Sequence, residues 1–313
     1  MFLNSPGGMS RRGYGAGILG GGGSGVAKIE LSRVDRFAGT MILFWPFAWA
    51  VTLSANRHDI PMEEYILALI SGFLGACLLH RCGGCIWNDI IDMDLDAQVE
   101  RTKHRPLPDG RITVPQALVF LSIHVALLFA MARYLNPTAW VYAFLTIVPL
   151  TGMYPFMKRI TYLPQVWLGI TLNTPVLIAS TIFAKQTPQA AFLLAFGGWC
   201  WTMWYDTIYG SQDKIDDIKA GVKSIVLLLA SHARLALFFF SSAMTLCLLA
   251  TGILNGAGLA YFLVAVGGGG SLLARDLVGV DLDDPKSCLT AFQRNGFTIG
   301  PVIFVGCLLD YLL

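Results

Sequence analysis

Long apolar runs alternate with short polar segments along almost the whole chain after residue 36. A helix needs about 20 mainly apolar residues to cross a bilayer. On that criterion we predict nine membrane-spanning helices, near residues 37–55, 64–86, 114–133, 138–156, 163–183, 189–209, 233–254, 257–274 and 294–312. No soluble domain fits in the polar gaps between these runs. The pattern predicts an all-α, multi-pass transmembrane helical bundle.

The composition and the distribution of basic residues agree with this layout. Of the 313 residues, 55% are hydrophobic and 13% are charged, whereas a soluble domain carries about 25% charged residues. Eighteen of the 22 Lys and Arg residues lie in the N-terminal region and in the loops after the second, fourth, sixth and eighth spans, and three lie in the opposite loops. Basic loops face the cytosol or a matrix-like compartment. We therefore expect the N-terminus and the even-numbered loops on that side of an endoplasmic-type or mitochondrial inner membrane.

The N-terminal region is rich in glycine and contains Arg11 and Arg12 but no acidic residue before position 30. It has no continuous apolar core, which excludes a secretory signal peptide. We predict a disordered tail over residues 1–30, followed by a single transmembrane domain over residues 31–313. A basic, acid-free mitochondrial transit peptide is the alternative interpretation of the tail.

Acidic residues cluster at the end of the second apolar run, in the stretch N-D-I-I-D-M-D-L-D. If the second helix continues through this stretch, Asn88, Asp92 and Asp96 are four residues apart and share one face. Asp89 lies at the edge of that face, and Asp94 points away from it. Like charges at this spacing favour a bound cation, and hard oxygen ligands suit Mg²⁺.

A second acidic cluster follows the sixth predicted span, where Asp213 and Asp217 are again four residues apart. Both clusters belong to the basic side of the predicted topology. Two acidic faces on one side can bind metal ions with a polyanion between them. A solvated loop is the alternative, but it predicts scattered acids and not two sets with helical spacing.

Basic residues next to both clusters are candidates for binding a diphosphate, because Arg and Lys donate to phosphate oxygens. The topology alone would also place basic residues here, so this alternative stays open for each of them. The candidates are Arg101, Arg105, Lys158, Arg159, Lys214 and Lys223.

The apolar bulk of the chain suits a diphosphate that carries a long hydrocarbon, with its tail among the helices or in lipid. Ionisation of an allylic diphosphate leaves a carbocation, which aromatic faces stabilise where water is excluded. The stretch W-C-W-T-M-W-Y provides Trp199, Trp201, Trp204 and Tyr205. An aromatic belt at the membrane interface is the alternative role for these side chains.

Several ordered motifs resemble the UbiA superfamily of membrane prenyltransferases, on the 4-hydroxybenzoate polyprenyltransferase branch. The similarity extends over roughly residues 31–312. The residues that carry it are Asn88, Asp89, Asp92 and Asp96; Arg101, Thr102, Arg105, Pro106 and Leu107; Tyr154, Pro155, Lys158, Arg159, Pro164 and Gln165; Tyr205, Asp206, Thr207, Tyr209, Asp213, Asp216 and Asp217; and Gly221, Lys223 and Ser224.

This resemblance implies a nine-helix fold around a central cavity that opens sideways to lipid. It also implies transfer of a prenyl group from an allylic diphosphate to a ring carbon ortho to a phenol, with an acidic side chain or the released diphosphate taking the ring proton. Mg²⁺ is the implied cofactor and a nucleic-acid partner is not expected. The implied metal ligands are Asn88, Asp92, Asp96, Asp213 and Asp217. The implied catalytic residues are Asp92, Asp96, Asp213, Asp217 and Arg159. The residues implied to bind the diphosphate are Asn88, Arg101, Arg105, Tyr154, Lys158, Lys214 and Lys223.

Some positions depart from the ubiquinone-pathway pattern and resemble fungal relatives that prenylate polyketide-derived phenolic acids in meroterpenoid pathways. These positions are Trp87, Pro108, Asp109, Gly210 and Ser211. We therefore expect such an acid as the acceptor, with 4-hydroxybenzoate as the alternative. An ion-coupled transporter is less consistent with the sequence, because its acids belong near the middle of the spans. Prenyl chain length, oligomeric state and the organelle do not follow from the sequence.

Overall fold

The computed structural model describes residues 22–100, 102–184, 186–214 and 224–313, which form helices and, within those ranges, no strand. The helices are α1 Gly22–Ser32, α2 Phe37–Arg57, α3 Met62–Ile91, α4 Met93–Asp96, α5 Val114–Ala132, α6 137–160, α7 Pro164–Ile182, α8 Gln189–Gly210, α9 Ile225–Asn255, α10 Tyr261–Gly279 and α11 Pro285–Leu312.

The long helices of the described part of the chain coincide with the nine predicted spans, which confirms the all-α transmembrane bundle. Eight of these helices are long and apolar enough to cross a membrane by length and composition. The exception is α8, which has 22 residues. Its tryptophan, tyrosine and glycine residues are less hydropathic than the aliphatic residues of the other helices. Most of α8 is buried inside the bundle, so it does not need an apolar outer face.

Lipid-facing surface is clearest on α5, where large apolar side chains including Leu118, Val119 and Ile123 are exposed. A soluble protein rarely exposes so large a continuous apolar surface. This outer surface fits hydrocarbon, and it supports the predicted contact with membrane lipid.

The N-terminal boundary differs from the prediction of a disordered tail up to residue 30. Helix α1 begins at Gly22, and its residues Ala27 and Leu31 are buried against Ile86 of α3. These two side chains are four residues apart and so share one helix face. Because this apolar face is short and lies next to many glycines, the composition of the segment did not indicate a helix. The prediction was wrong for residues 22–30, and residues 1–21 lie outside the described residues.

The centre of the bundle is formed by α2, α7, α8 and α11, which pack closely around aromatic side chains. Trp49 of α2 and Trp201 of α8 are buried, with their ring centroids 5.1 Å apart. The indole nitrogens of Trp45 and Trp49 donate to the carbonyls of Gly296 and Gly300, at 2.6 and 3.0 Å. Each buried N–H therefore has an acceptor, and α2 is fixed against α11.

Gly300 gives a direct test of this packing. A Cβ atom at Gly300 would lie 2.0 Å from Cδ1 of Trp45, whereas one at Gly279 of α10 would meet nothing within 4 Å. Because the Trp45 ring is rigid and buried, we expect Gly300→Ala to destabilise the fold by about 2 kcal/mol. The midpoint of thermal unfolding in detergent measures the loss. Gly279→Ala is the control and should unfold like the wild type; equal midpoints for all three proteins would contradict this account.

Candidate active site

A cavity of about 810 Å³ lies among α2, α3, α6, α7, α8 and α11. Its wall has an ionic part and an apolar part. The ionic part includes Asn88, Asp92, Asp96, Arg105 and Asp206. The apolar part includes Ile42, Leu43, Leu168, Leu172, Phe292 and Phe297. A molecule with a charged head and a hydrocarbon tail matches this division.

The predicted carboxylate face is retained although the helix is interrupted. Helix α3 ends at Ile91, and Asp92 turns the chain with φ −92° and ψ 6° before α4 begins. The amide of Asp92 still donates to the carbonyl of Asn88, and that of Asp96 to the carbonyl of Asp92, both at 2.8 Å. The helical spacing is therefore kept, and all three side chains line the cavity. Asp94 is exposed to solvent, as predicted.

Asp89 lies behind this wall, where two guanidinium groups neutralise its carboxylate. Its Oδ1 accepts hydrogen bonds from Arg33 and from Arg105, the latter at 3.1 Å. Arg105 also donates to Oδ2 of Asp96 at 2.5 Å. Only 1% of the Asp89 side chain is exposed, so the ion pairs offset a large desolvation cost.

The turn between α1 and α2 completes this end of the cavity. Arg81 of α3 donates to the main-chain carbonyls of Arg33 and Arg36, at 2.7 and 3.2 Å. Arg33 has φ +54°, and its side chain lines the cavity. Arg33 was not predicted as a site residue from the sequence, although it lies in the S-R-V-D-R stretch just before the first span.

Three hydrogen bonds attach α6 to α3 along the cavity. His80 pairs with the hydroxyl of Thr151 at 2.7 Å, and Trp87 donates to the carbonyl of Gly152 at 3.0 Å. Arg159 is exposed and donates to the carbonyl of Ile91 at 2.6 Å. A basic side chain at the C-terminus of a helix satisfies a carbonyl that has no partner inside the helix. The predicted residue Arg159 thus holds the end of α3 and lies outside the cavity wall.

The other predicted basic and phenolic residues fall in different places. Tyr154 of α6 lines the cavity. Lys214 donates to the exposed carboxylate of Asp283, and that hydrogen bond keeps the pKa of Asp283 below its usual range. Arg101 and Lys223 lie outside the described residues, and so does the side chain of Lys158.

The second acidic cluster is only partly described. Helix α8 brings Tyr205, Asp206 and Tyr209 to the cavity wall. Asp213 ends a short 3₁₀ turn, Ser211–Asp213, that continues α8. The side chain of Asp213 and all of residues 215–223, including Asp217, lie outside what the structure describes. Asp206 belongs to the motif that was recognised in the sequence, but it was not assigned a role there.

The tryptophans of α8 do not form an interfacial belt. Trp201 and Trp204 are buried inside the bundle, and Trp201 donates to the side-chain oxygen of Asn295 at 2.7 Å. Trp199 is half-buried and donates to the carbonyl of Val166 at 3.0 Å. From the predicted aromatic stretch, Tyr205 is the residue that reaches the cavity wall in the described part of the chain.

Residues 43–299 of the chain match the UbiA prenyltransferase family. The chain belongs to this family. It is 50% identical over 283 residues to the UbiA prenyltransferase claS of Ampulloclitocybe clavipes, with 90% of each protein covered. It is 38% identical over 287 residues to the mitochondrial 4-hydroxybenzoate polyprenyltransferase of Drosophila melanogaster, covering 91% of this chain and 71% of that protein. The chain is therefore a membrane prenyltransferase of the UbiA type.

Solved structures with the same fold include the apo form of a UbiA homologue from Aeropyrum pernix K1. Its TM-score is 0.71 at 23% identity, covering 87% of this chain and 98% of the homologue. A UbiA homologue from Archaeoglobus fulgidus, bound to GPP and Mg²⁺, aligns with a TM-score of 0.63 at 16% identity, covering 92% and 100% of the two chains. At these identities the likeness concerns the fold alone.

Three buried oxygens on the wall of the UbiA cavity have no hydrogen-bond partner in the described part of the chain. They are Oδ1 of Asn88, Oε1 of Gln165 and Oγ of Ser224, and they come from three separate segments. A buried polar atom without a partner costs about 1–3 kcal/mol. Three such atoms on one cavity wall indicate a polar ligand that supplies donors or a cation.

The donor set at the ionic end fits a hard divalent cation. Asn88, Asp92 and Asp96 bring one side-chain amide and two carboxylates to the cavity wall, and Oδ1 of Asn88 is unsatisfied among the described residues. Mg²⁺ prefers such ligands and is usually held by one or two carboxylates and by substrate phosphate oxygens. Within the described ranges, no three His, Cys, Asp or Glu side chains form a complete metal-binding cluster.

A substitution of Asp89 tests its two ion pairs without changing a residue of the cavity wall. Asp89→Asn removes the charge that neutralises Arg33 and Arg105, whose side chains are only 20% and 18% exposed. Breaking a buried ion pair on one side costs about 3 kcal/mol where the partner keeps some water contact. We expect a clearly lower thermal midpoint in detergent, and no such shift for the exposed residue in the control Asp94→Asn. Equal midpoints for the two variants would refute this role of Asp89.

Proposed function

We propose that this UbiA-family protein transfers a prenyl group from an allylic diphosphate to a ring carbon of a phenolic acid, with Mg²⁺ as cofactor. The observation that supports this most directly is the division of one cavity into an ionic end and an apolar remainder. The ionic end suits the diphosphate, and the remainder is large enough for a hydrocarbon chain and one aromatic ring.

At the ionic end, Asn88, Asp92 and Asp96 would hold Mg²⁺, and Asp213 and Asp217 would provide the second half of the metal site. When bound, Mg²⁺ neutralises charge on the diphosphate and makes it a better leaving group. The Mg²⁺ and GPP bound to the Archaeoglobus fulgidus homologue support this assignment at the level of the fold.

Basic residues supply the hydrogen bonds to the diphosphate in this proposal. Arg33 and Arg105 line the cavity beside the carboxylates, and guanidinium groups bind phosphate oxygens in pairs. Arg101, Lys158 and Lys223 are proposed as additional phosphate ligands, from motifs next to the site. Arg159 and Lys214 hold the ends of α3 and α8, since each binds another group there and neither is on the cavity wall.

The aromatic wall would stabilise the allylic cation once the diphosphate has left. Tyr205, Tyr209 and Phe292 form a packed group on the cavity wall, with Tyr209 and Phe292 centroids 4.4 Å apart. Ring faces attract cations, most strongly where water is excluded. The ring carbon ortho to the phenol then bonds to the prenyl carbon, and the ring proton leaves to restore aromaticity.

Polyketide-derived phenolic acids of meroterpenoid biosynthesis are the proposed acceptors. The 50% identity to a fungal UbiA prenyltransferase supports this choice, as do the departures at Trp87, Pro108 and Asp109. The runner-up is 4-hydroxybenzoate, which is favoured by the similarity to 4-hydroxybenzoate polyprenyltransferases at 34–38% identity. The proposed orientation places the ionic end on the basic, cytosol- or matrix-like side.

Removing a predicted metal ligand should abolish transfer without preventing insertion into the membrane. We expect Asp92→Ala and Asp213→Ala each to reduce product formation at least about 100-fold, because charge stabilisation of the leaving group is lost. Product is measured by mass spectrometry, with purified protein, Mg²⁺ and a prenyl diphosphate. Asp94→Ala is the matched control from the same acidic stretch and should keep wild-type activity. Full activity in either site variant would contradict the proposed metal site.

The acceptor can be identified by direct competition. Purified protein with Mg²⁺ is offered farnesyl, geranylgeranyl and longer diphosphates against 4-hydroxybenzoate and an orsellinate-type acid. We expect transfer to the orsellinate-type acid, with the mass of the product giving the chain length. Transfer to 4-hydroxybenzoate alone would replace the meroterpenoid assignment by the ubiquinone-type assignment.

A further inference from the structure

The polar and apolar sides of the cavity wall come from different helices. Among the described lining residues of α3 and α6, each is a glycine, a cysteine or a polar residue. The large apolar side chains of the wall come mainly from α2, α7 and α11, with Leu43, Leu168 and Phe292 as examples. A phenolic acid carries polar groups around its ring, whereas a prenyl chain is a pure hydrocarbon. The ring therefore matches the side formed by α3 and α6.

The apolar side of the wall continues to exposed aromatic side chains. Phe37 of α2 and Phe297 of α11 both line the cavity, and their rings stack with centroids 6.4 Å apart. These two side chains are 47% and 53% exposed. A hydrocarbon chain can follow them towards lipid without leaving apolar surface. This course of the prenyl chain leaves the side formed by α3 and α6 for the acceptor.

Gly84 lies on this side, one helical turn from the ionic end. It precedes Asn88 by four residues, so the two residues share a face of α3 and are about 6 Å apart along its axis. The prenyl carbon that reacts is initially bound to the diphosphate, and reacting atoms approach each other to about 3–3.5 Å. The acceptor ring must therefore lie beside the ionic end, at the level of Gly84.

The missing side chain of Gly84 leaves a gap between α3 and α6. Gly84 is half-buried and lines the cavity, and a Cβ atom there would lie 3.6 Å from Cγ2 of Thr151. The hydroxyl of Thr151 donates to the carbonyl of Thr146 and contacts Nε2 of His80, both at 2.7 Å. Because these contacts hold the hydroxyl, the methyl group of Thr151 keeps its position opposite Gly84. The gap thus has a fixed width.

We propose that Gly84 determines which phenolic acids the enzyme accepts, by leaving room beside Thr151 for a substituent of the acceptor ring. This inference rests on the proposed function, because it requires a phenolic acceptor. One methylene group added to a pocket or removed from it changes the discrimination between substrates about 10–200-fold. A side chain at position 84 would take up the space that the substituent needs.

The test compares Gly84→Ala with the wild type on two acceptors that differ by one methyl group. One is an orsellinate-type acid, and the other is the same acid without its ring methyl group. We expect kcat/KM for the methylated acid to fall at least about 10-fold more than kcat/KM for the unmethylated acid. The KM for the prenyl diphosphate should not change, because its two ends lie elsewhere on the wall. If the wild type uses 4-hydroxybenzoate instead, the pair is 4-hydroxybenzoate and its ring-methylated form.

The neighbouring glycine provides a matched control. Gly83 is buried and is not on the cavity wall, and a Cβ atom there would lie 3.5 Å from Cβ of His124 and 3.7 Å from Cδ1 of Leu121. Both alanine substitutions therefore add one methyl group to the same helix at ordinary contact distances. Gly83→Ala should keep the wild-type ratio of the two kcat/KM values. Similar thermal midpoints in detergent would show that the two variants are equally well folded.

Thr151→Ser tests the gap from its other side. This change removes the methyl group opposite Gly84 and keeps the hydroxyl that contacts His80 and Thr146. We expect kcat/KM for the methylated acid to rise about 10-fold relative to the unmethylated acid. Because Thr151→Ser adds no atom to the packed bundle, it decides the question even if Gly84→Ala does not fold.

Three results would overturn the proposal. An equal loss on both acceptors in Gly84→Ala would indicate a general effect on the fold, and unchanged values on both would show that no substituent lies there. A higher KM for the prenyl diphosphate, with the acceptor ratio unchanged, would assign Gly84 to the donor. Failure of the proposed function is seen separately, because the wild type would then transfer no prenyl group to any phenolic acid.

Discussion

The burial of three carboxylates at the end of α3 is the constraint on which the site depends. Asp89, Asp92 and Asp96 are each less than a tenth exposed, and an unpaired buried charge costs several kcal/mol. The guanidinium groups that offset this cost come from before α2 and from after α4, so the ion pairs bring two distant segments onto one helix. The ionic end of the cavity is therefore a consequence of neutralising these acids.

Helix α3 is consequently the element against which the other parts of the site are positioned. Arg81 holds the turn after α1, and hydrogen bonds along the C-terminal half of α3, at His80 and at Ile91, hold α6. One face of the same helix lines the cavity from His80 to Asp92. Because these contacts all involve one rigid element, the carboxylates, the N-terminal turn and the wall of α6 keep a fixed relation to each other.

The sequence predicted what depends on local spacing and missed what depends on distant contacts. Apolar runs located the nine spans, and intervals of four residues placed Asn88, Asp92 and Asp96 on one face. Arg33 was missed because its partner Asp89 is 56 residues away. Similarly, a basic residue in a basic loop has the same pattern whether it binds phosphate or, like Arg159, caps a helix. Helix α1 was not predicted because its short apolar face lies in a glycine-rich segment.

The two parts of the cavity wall suit different requirements of prenyl transfer. The departing diphosphate needs positive charge beside it, whereas the allylic cation that it leaves needs an aromatic surface from which water is excluded. Arg33 and Arg105, beside the carboxylates, would supply the charge, and Tyr205, Tyr209 and Phe292 would supply the aromatic surface. One cavity can therefore hold the leaving group at one part of its wall and stabilise the cation at another.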